Sequence, residues 1–155
     1  MEAPSIRTDK FREFLAPCMT GEEIDYLQNE LLYLDYFKKP ASLSHHGREE
    51  GDLFYHSLCV ATRLVSYTEK LDLKWQRKQS PYIVGLLHDL CKCDNYILVK
   101  DADNSGEDGK DNNSGGSHWE WNKDTILTGH GDKSVIMIQK FYKLTDEEIA
   151  CIRWH

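Results

Sequence analysis

Apolar residues along this 155-residue chain recur mostly at intervals of three and four, the period of an α-helix. In MTGEEIDYLQNELLYLDYF, Ile24, Leu27, Leu31 and Leu34 keep that spacing. Thr20, with Glu23 three residues on, forms a capping box that starts the element, and Pro40 closes it. GDLFYHSLCVATRLVSYTEKL places Leu53, His56, Val60, Leu64 and Tyr67 on one stripe of a second helix. SPYIVGLLHDLCK offers Ser80 as N-cap and Pro81 as the first helical residue. It is apolar on most sides, which predicts the central helix. GDKSVIMIQKFYKL and TDEEIACIRWH predict two more helices, the last opened by a second capping box, Thr145 with Glu148.

Two short segments break the helical period. NYILVK and HWEWN alternate and are rich in aromatic and β-branched residues, which predicts the two arms of a β-hairpin. DADNSGEDGKDNNSGG between them holds no apolar residue larger than alanine, so about residues 101–117 are expected to be a flexible loop. The sum is an all-α domain of five or six helices with a small β-hairpin insertion. There are no internal repeats and no second-domain boundary, so 1–155 reads as one domain. IACIRWH stops in mid-pattern, without a glycine or polar tail, and the natural chain is expected to continue past His155.

Composition narrows the function. At 40% hydrophobic and 29% charged residues the chain can build one core. A net charge of −7 and a pI of about 5.5 argue against a broad basic surface for long nucleic acid, while leaving room for a small phosphorylated ligand. The longest clean apolar run, YIVGLL, is too short to span a bilayer, so no membrane is expected as partner. The N-terminal segment lacks the basic-then-apolar plan of a signal peptide. Five cysteines, at positions 18, 59, 91, 93 and 151, read as reduced thiols of a cytoplasmic protein. Cys91 and Cys93 form C-x-C with no second pair, which is not a zinc signature.

The histidines are the most informative residues. His45, His46 and His118 fall in loop or hairpin segments, whereas His56, His88, His130 and His155 fall on or at the start of helices. A lone histidine on an apolar face is usually a hydrogen-bonded core residue. Four of them on successive helices, with Asp89 beside His88, match instead the way a bundle delivers one metal ligand per helix. Adjacent residues on a helix point about 100° apart, so His88 and Asp89 require either an unusual geometry or two ions sharing the pair. Competing motifs fail on residues: GHGDKS lacks the glycine before the lysine of a phosphate loop. DADNSGEDGKDN has Asn112 where a calcium loop needs glutamate. Cys91 and Cys93 as nucleophiles are disfavoured, because adjacent helical residues diverge and a buried thiol is inert.

The ordered set His56, His88–Asp89, His130 and His155 resembles the HD superfamily of metal-dependent phosphohydrolases. PASLSHHGREEGDLFYHSLCV is similar to the family's entry segment, with EGDL in place of Gly-Gly-Leu before the first metal histidine. GLLHDLCK resembles its His-Asp helix, with Lys92 as the downstream lysine. TGHGDKSVIMI and LTDEEIACIRWH resemble the segments that deliver two further histidines. The resemblance spans roughly residues 40–155 and implies an HD-type helical bundle. It implies His56, His88, Asp89, His130 and His155 as ligands of one or two divalent ions (Fe, Mn, Zn, Ni or Mg), with Asp89 bridging. It also implies one more metal-binding aspartate beyond His155.

The expected chemistry is hydrolysis of a nucleotide or other small phosphoester. Two divalent ions neutralise the anion and lower the pKa of an attacking water. Asp89 would orient that water, Lys92 would contact a phosphate oxygen, and His46 in its loop would touch the substrate. The alternative is an inactive module of the same fold that binds a nucleotide or metal to regulate a partner.

Overall fold

The computed structural model describes residues 4–43, 47–100, 116–125, 127 and 129–155. The helices are α1 (Pro4–Leu15), α2 (Gly21–Tyr33), α3 (Asp52–Lys70), α4 (Ser80–Leu87), the four-residue α5 (Lys92–Asn95), α6 (His130–Ile138) and α7 (Asp146–Arg153). Strands β1 (Tyr96–Lys100) and β2 (Ser117–Trp121) form one antiparallel pair, with Tyr96 opposite Trp121 and Lys100 opposite Ser117. The architecture is therefore mainly helical with a small hairpin. The expected flexible loop lies, but for its last two residues, outside the described residues. No helix among the described residues is long and apolar enough to cross a membrane, and all five cysteines are free thiols.

Both capping boxes form. Thr20 accepts from the Glu23 backbone N–H while Glu23 reaches back to the Thr20 backbone, and Thr145 and Glu148 repeat the arrangement. Leu34 falls just past the end of α2, whose buried stripe is Ile24, Leu27 and Leu31. α1 carries no strong amphipathic signal, yet Phe11 and Leu15 are fully buried in the core. Its Arg7 is also buried and donates to the Phe37 carbonyl and to Glu50. A cation inside the core is tolerated because these oxygens replace water.

α4 lies at the centre, buried on nearly every side and packed on α3 and α7. Ser80 is not its N-cap, as the sequence suggests. Gln79 precedes the helix, and the Ser80 hydroxyl instead donates to Glu148 Oε1 at 2.8 Å. Glu148, fully buried, also takes Arg77, so one carboxylate ties the start of α4 to α7.

α4 also ends earlier than expected. The helix stops at Leu87, and His88 and Asp89 sit in a tight turn before α5. Side chains capture the carbonyls that would have continued it: His88 Nδ1 takes Gly85 O at 2.8 Å, and the Tyr36 hydroxyl donates to Leu86 O at 2.7 Å. Leu90 and Lys92 then bond three residues back, to Leu87 and Asp89, and Cys91 N–H donates to Ser134 Oγ. Bonds of this kind wind the chain at about three residues per turn, which stacks residue i on i+3. Asp89 and Lys92 are so stacked, with Nζ 2.7 Å from Oδ2.

Candidate metal centre

The histidines arrive in two pairs, each from one helical hairpin. α3 and α4 bring His56 and His88, and the α6–α7 pair brings His130 and His155. The first hairpin closes tightly because Gly85 lies against the backbone of Ala61. The second does so because Gly131 lies against the backbone of Arg153, which sets the chain end beside His130. Asp89 stands between the pairs, and each of its oxygens faces one of them.

Oδ2 lies 3.2 Å from His56 Nε2 and 3.4 Å from His88 Nε2. Oδ1 lies 2.6 Å from His130 Nε2 and 3.6 Å from His155 Nε2. Two groups suited to a metal ion result, His56–His88–Asp89 and Asp89–His130–His155, which share the carboxylate. Asp89 and His88 form the floor, at 3% and 7% side-chain exposure, while His56 and His130 form an open rim at 44% and 47%. The geometry removes the difficulty of adjacent ligands: the turn after Leu87 replaces the α-helix on which they would diverge.

The hydrogen bonds fix how the rings present themselves. A carbonyl can only accept, so His88 Nδ1 donates to Gly85 O, and His155 Nδ1 donates to Ile152 O at 2.6 Å. In the neutral ring Nε2 is then a bare lone pair aimed at the carboxylate. His88 Nε2 also faces His56 Nε2 at 3.3 Å. Acceptors crowded in this way repel unless a cation or proton lies between them. Among the described residues Asp89 Oδ1, although buried and close to two rings, receives no hydrogen bond of proper geometry. An orphaned buried carboxylate oxygen is costly, and a divalent ion coordinated by imidazole and carboxylate would satisfy it. The donor set fits such an ion.

Electrostatics agree with the geometry. Burial pushes the Asp89 carboxyl up, but the contacts with His130, His56 and His88 outweigh it and hold the group far below the usual carboxylate range. In turn the Asp89 carboxylate, followed by the contact with Cys91, pushes His130 up to about 10. Burial lowers His155. Cys91 Sγ lies 3.1 Å from His130 Nδ1, so a thiol orients this ring where a backbone carbonyl orients the other two. Cys91 is fully buried, which suits a positioning group and not a nucleophile.

Lys92 is committed to Asp89 Oδ2 and does not line the cavity that holds the four histidines. It borders an adjoining hollow with Tyr96, Trp121 and His130. The expected substrate contact His46 lies outside the described residues, as does His45. His118 is in β2, where it pairs with Glu120. The cavity over the His–Asp cluster holds about 680 Å³. Val60, Leu64 and Tyr67 of the α3 stripe face it with His56, together with Arg63, Trp75 and Cys151. The periodicity of α3 thus marks a cavity wall, whereas its fully buried side is Leu53, Phe54, Ser57 and Ala61. Arg63, Trp75 and Cys151 carry no motif that would single them out in the sequence.

Lys133, one turn after His130, anchors the start of α6. Its buried ammonium donates to Asn95 Oδ1 and Thr125 Oγ1, both at 2.6 Å, and pairs with Asp94 Oδ2. Burial raises the Asp94 carboxyl, but Lys133 and Thr125 outweigh it and hold the group below its ordinary 3.8. A carboxyl depressed by folding stabilises the fold above its unfolded pKa, and that contribution fades as pH falls through the folded one. The melting temperature should therefore decline as pH drops below 3.8, and less steeply in Asp94→Asn, as followed by circular dichroism.

Comparison with protein-family models, with curated proteins and with solved structures returns no match in any of the three.

Proposed function

We propose that the chain is a metal-dependent phosphohydrolase of the HD type, a cytoplasmic enzyme acting on a nucleotide or another small phosphoester. The observation that carries the reading is the division of labour at Asp89. One buried carboxylate turns each oxygen toward a separate pair of imidazole Nε2 atoms, and two of those rings are locked by backbone carbonyls with their lone pairs inward. Structural histidines that merely fill a core have no reason to converge on one aspartate from four segments.

His56, His88 and Asp89 would hold one divalent ion, and Asp89, His130 and His155 a second. When bound, such ions neutralise phosphate charge and lower the pKa of an attacking water. The chain's own groups then do the rest. Asp89, fixed by its burial, would orient the water, whose proton passes to solvent. The hydroxide oxygen bonds to phosphorus, the ester P–O bond breaks, and the alcohol leaves with a proton from solvent. Lys92, paired with Asp89 Oδ2 and outside the histidine-lined cavity, would reach a phosphate oxygen only by giving up that pairing.

The test is elemental analysis of the untagged protein beside a His88→Ala/Asp89→Ala control, followed by phosphate release from a panel of nucleotides and simple monoesters. The expected result is near-stoichiometric metal and turnover, both absent from the control. Metal without turnover on any phosphoester would favour a regulatory binding module of the same fold. Protein that takes up no ion on reconstitution would overturn the reading.

A further inference from the structure

The cavity that holds the His–Asp cluster is also lined by side chains of a different chemistry. Val60, Leu64 and Tyr67 of α3, Val84 of α4 and Trp75 line the same cavity as the His–Asp cluster. Trp75 Nε1 donates to Thr68 Oγ1 at 2.9 Å, so the indole is held in place and has no free donor to offer a polar ligand. Outside the His–Asp cluster the polar side chains of note are the Tyr67 hydroxyl and Arg63. Arg63 makes no ion pair among the described residues. A volume of about 680 Å³ is within the range of small-molecule sites and exceeds what a phosphate needs.

Resting on the hydrolase reading, we propose that the substrate is a phosphoester whose organic part is an aromatic group. That group seats against Trp75, Leu64 and Val60 while its phosphate lies on the His–Asp cluster, with Arg63 at the edge as an anion contact. A phosphoester without a ring would leave Val60, Leu64 and the Trp75 indole uncovered or set its polar groups against them, which opposes binding. A flat apolar ring gains from the same wall by burial and by stacking on the fixed indole. The wall therefore sets specificity, and the cluster is indifferent to what the phosphate carries.

The test uses the full chain loaded with Mn²⁺ and two matched pairs of probes. 2-Phenylethyl phosphate and ethyl phosphate lose similar alkoxides, so their chemical step is comparable. 2-Phenylethylphosphonate and ethylphosphonate are their non-hydrolysable counterparts, and their binding is read by calorimetry. The phenyl compounds should be favoured about tenfold or more, both in kcat/KM and in phosphonate affinity. Trp75→Ala should shrink that ratio to about threefold or less. Tyr67→Ser, at a more exposed position of the same wall, serves if Trp75→Ala does not fold, and should lower the ratio likewise. Equal binding of the two phosphonates, or binding of neither, overturns the inference. Hydrolysis of neither phosphate, with the phenyl phosphonate still preferred, sustains the cavity assignment and overturns the hydrolase reading instead.

Discussion

Asp89→Ala is expected to empty both histidine groups at once. The carboxylate supplies one oxygen to each group, so its loss leaves two pairs of neutral imidazoles with no negative charge to hold a divalent ion. Metal content should fall to background, whereas His155→Ala, which removes a ligand from one group only, should leave the other loaded. Hydrolysis of any phosphoester should drop by about a thousandfold or more in Asp89→Ala, since both charge neutralisation and water activation depend on the ions. Stability should report the same loss. An ion present at a hundred times its Kd stabilises the native state by about 2.7 kcal/mol. The variant should forgo that increment, so adding metal should raise the melting temperature of the parent chain and not of Asp89→Ala. A melting temperature that rises equally in both would show the ion binding elsewhere.

Gly85→Ala should be the most damaging small change in the core. A Cβ on Gly85 would lie 2.6 Å from Ala61 Cβ and 2.7 Å from Ala61 N. Those atoms belong to a rigid helix and a fully buried methyl, so neither neighbour can turn aside. α3 and α4 must separate, which opens the seam between Gly85 and Ala61. Overpacking of this kind costs about 3 kcal/mol, set against a propensity gain for alanine of about 1 kcal/mol. The net destabilisation should be about 2 kcal/mol, measured by urea denaturation. Because His56 and His88 lie on the two helices that part, metal affinity in this variant should fall further than stability alone explains.

Much of this was readable beforehand, and the failures share a cause. Thr20 with Glu23 and Thr145 with Glu148 are contiguous signals whose partners lie three residues away, so local pattern suffices for them. The hairpin arms follow from alternation over five residues. The convergence of His56, His88, Asp89, His130 and His155 is legible because histidines fall on or beside four successive helices, with Asp89 next to one of them. What misled was non-local. GLLHDLCKC reads as continuous helix, since the hydroxyl of Tyr36 and the side chain of Ser134, far away in sequence, are what interrupt it. Ser80 has the composition of an N-cap, but Glu148 from the other end of the chain claims its hydroxyl. α1 is inconspicuous because its buried positions include an arginine. The stripe on α3 was correctly spaced, yet spacing cannot tell a wall that faces a cavity from one that faces the core.

The grouping of the histidines by hairpin has a consequence for the order of folding. α3 with α4 and α6 with α7 are each neighbours in the chain, so either hairpin can close over a short loop and form quickly. Bringing His130 and His155 to Asp89 needs contacts of long sequence separation, which on general grounds close later. An ion captured at Asp89 would act as a latch on the docked hairpins. It would slow their separation far more than it speeds their meeting. With metal bound there, the lifetime of the assembled molecule, more than its rate of formation, would follow the supply of metal around it.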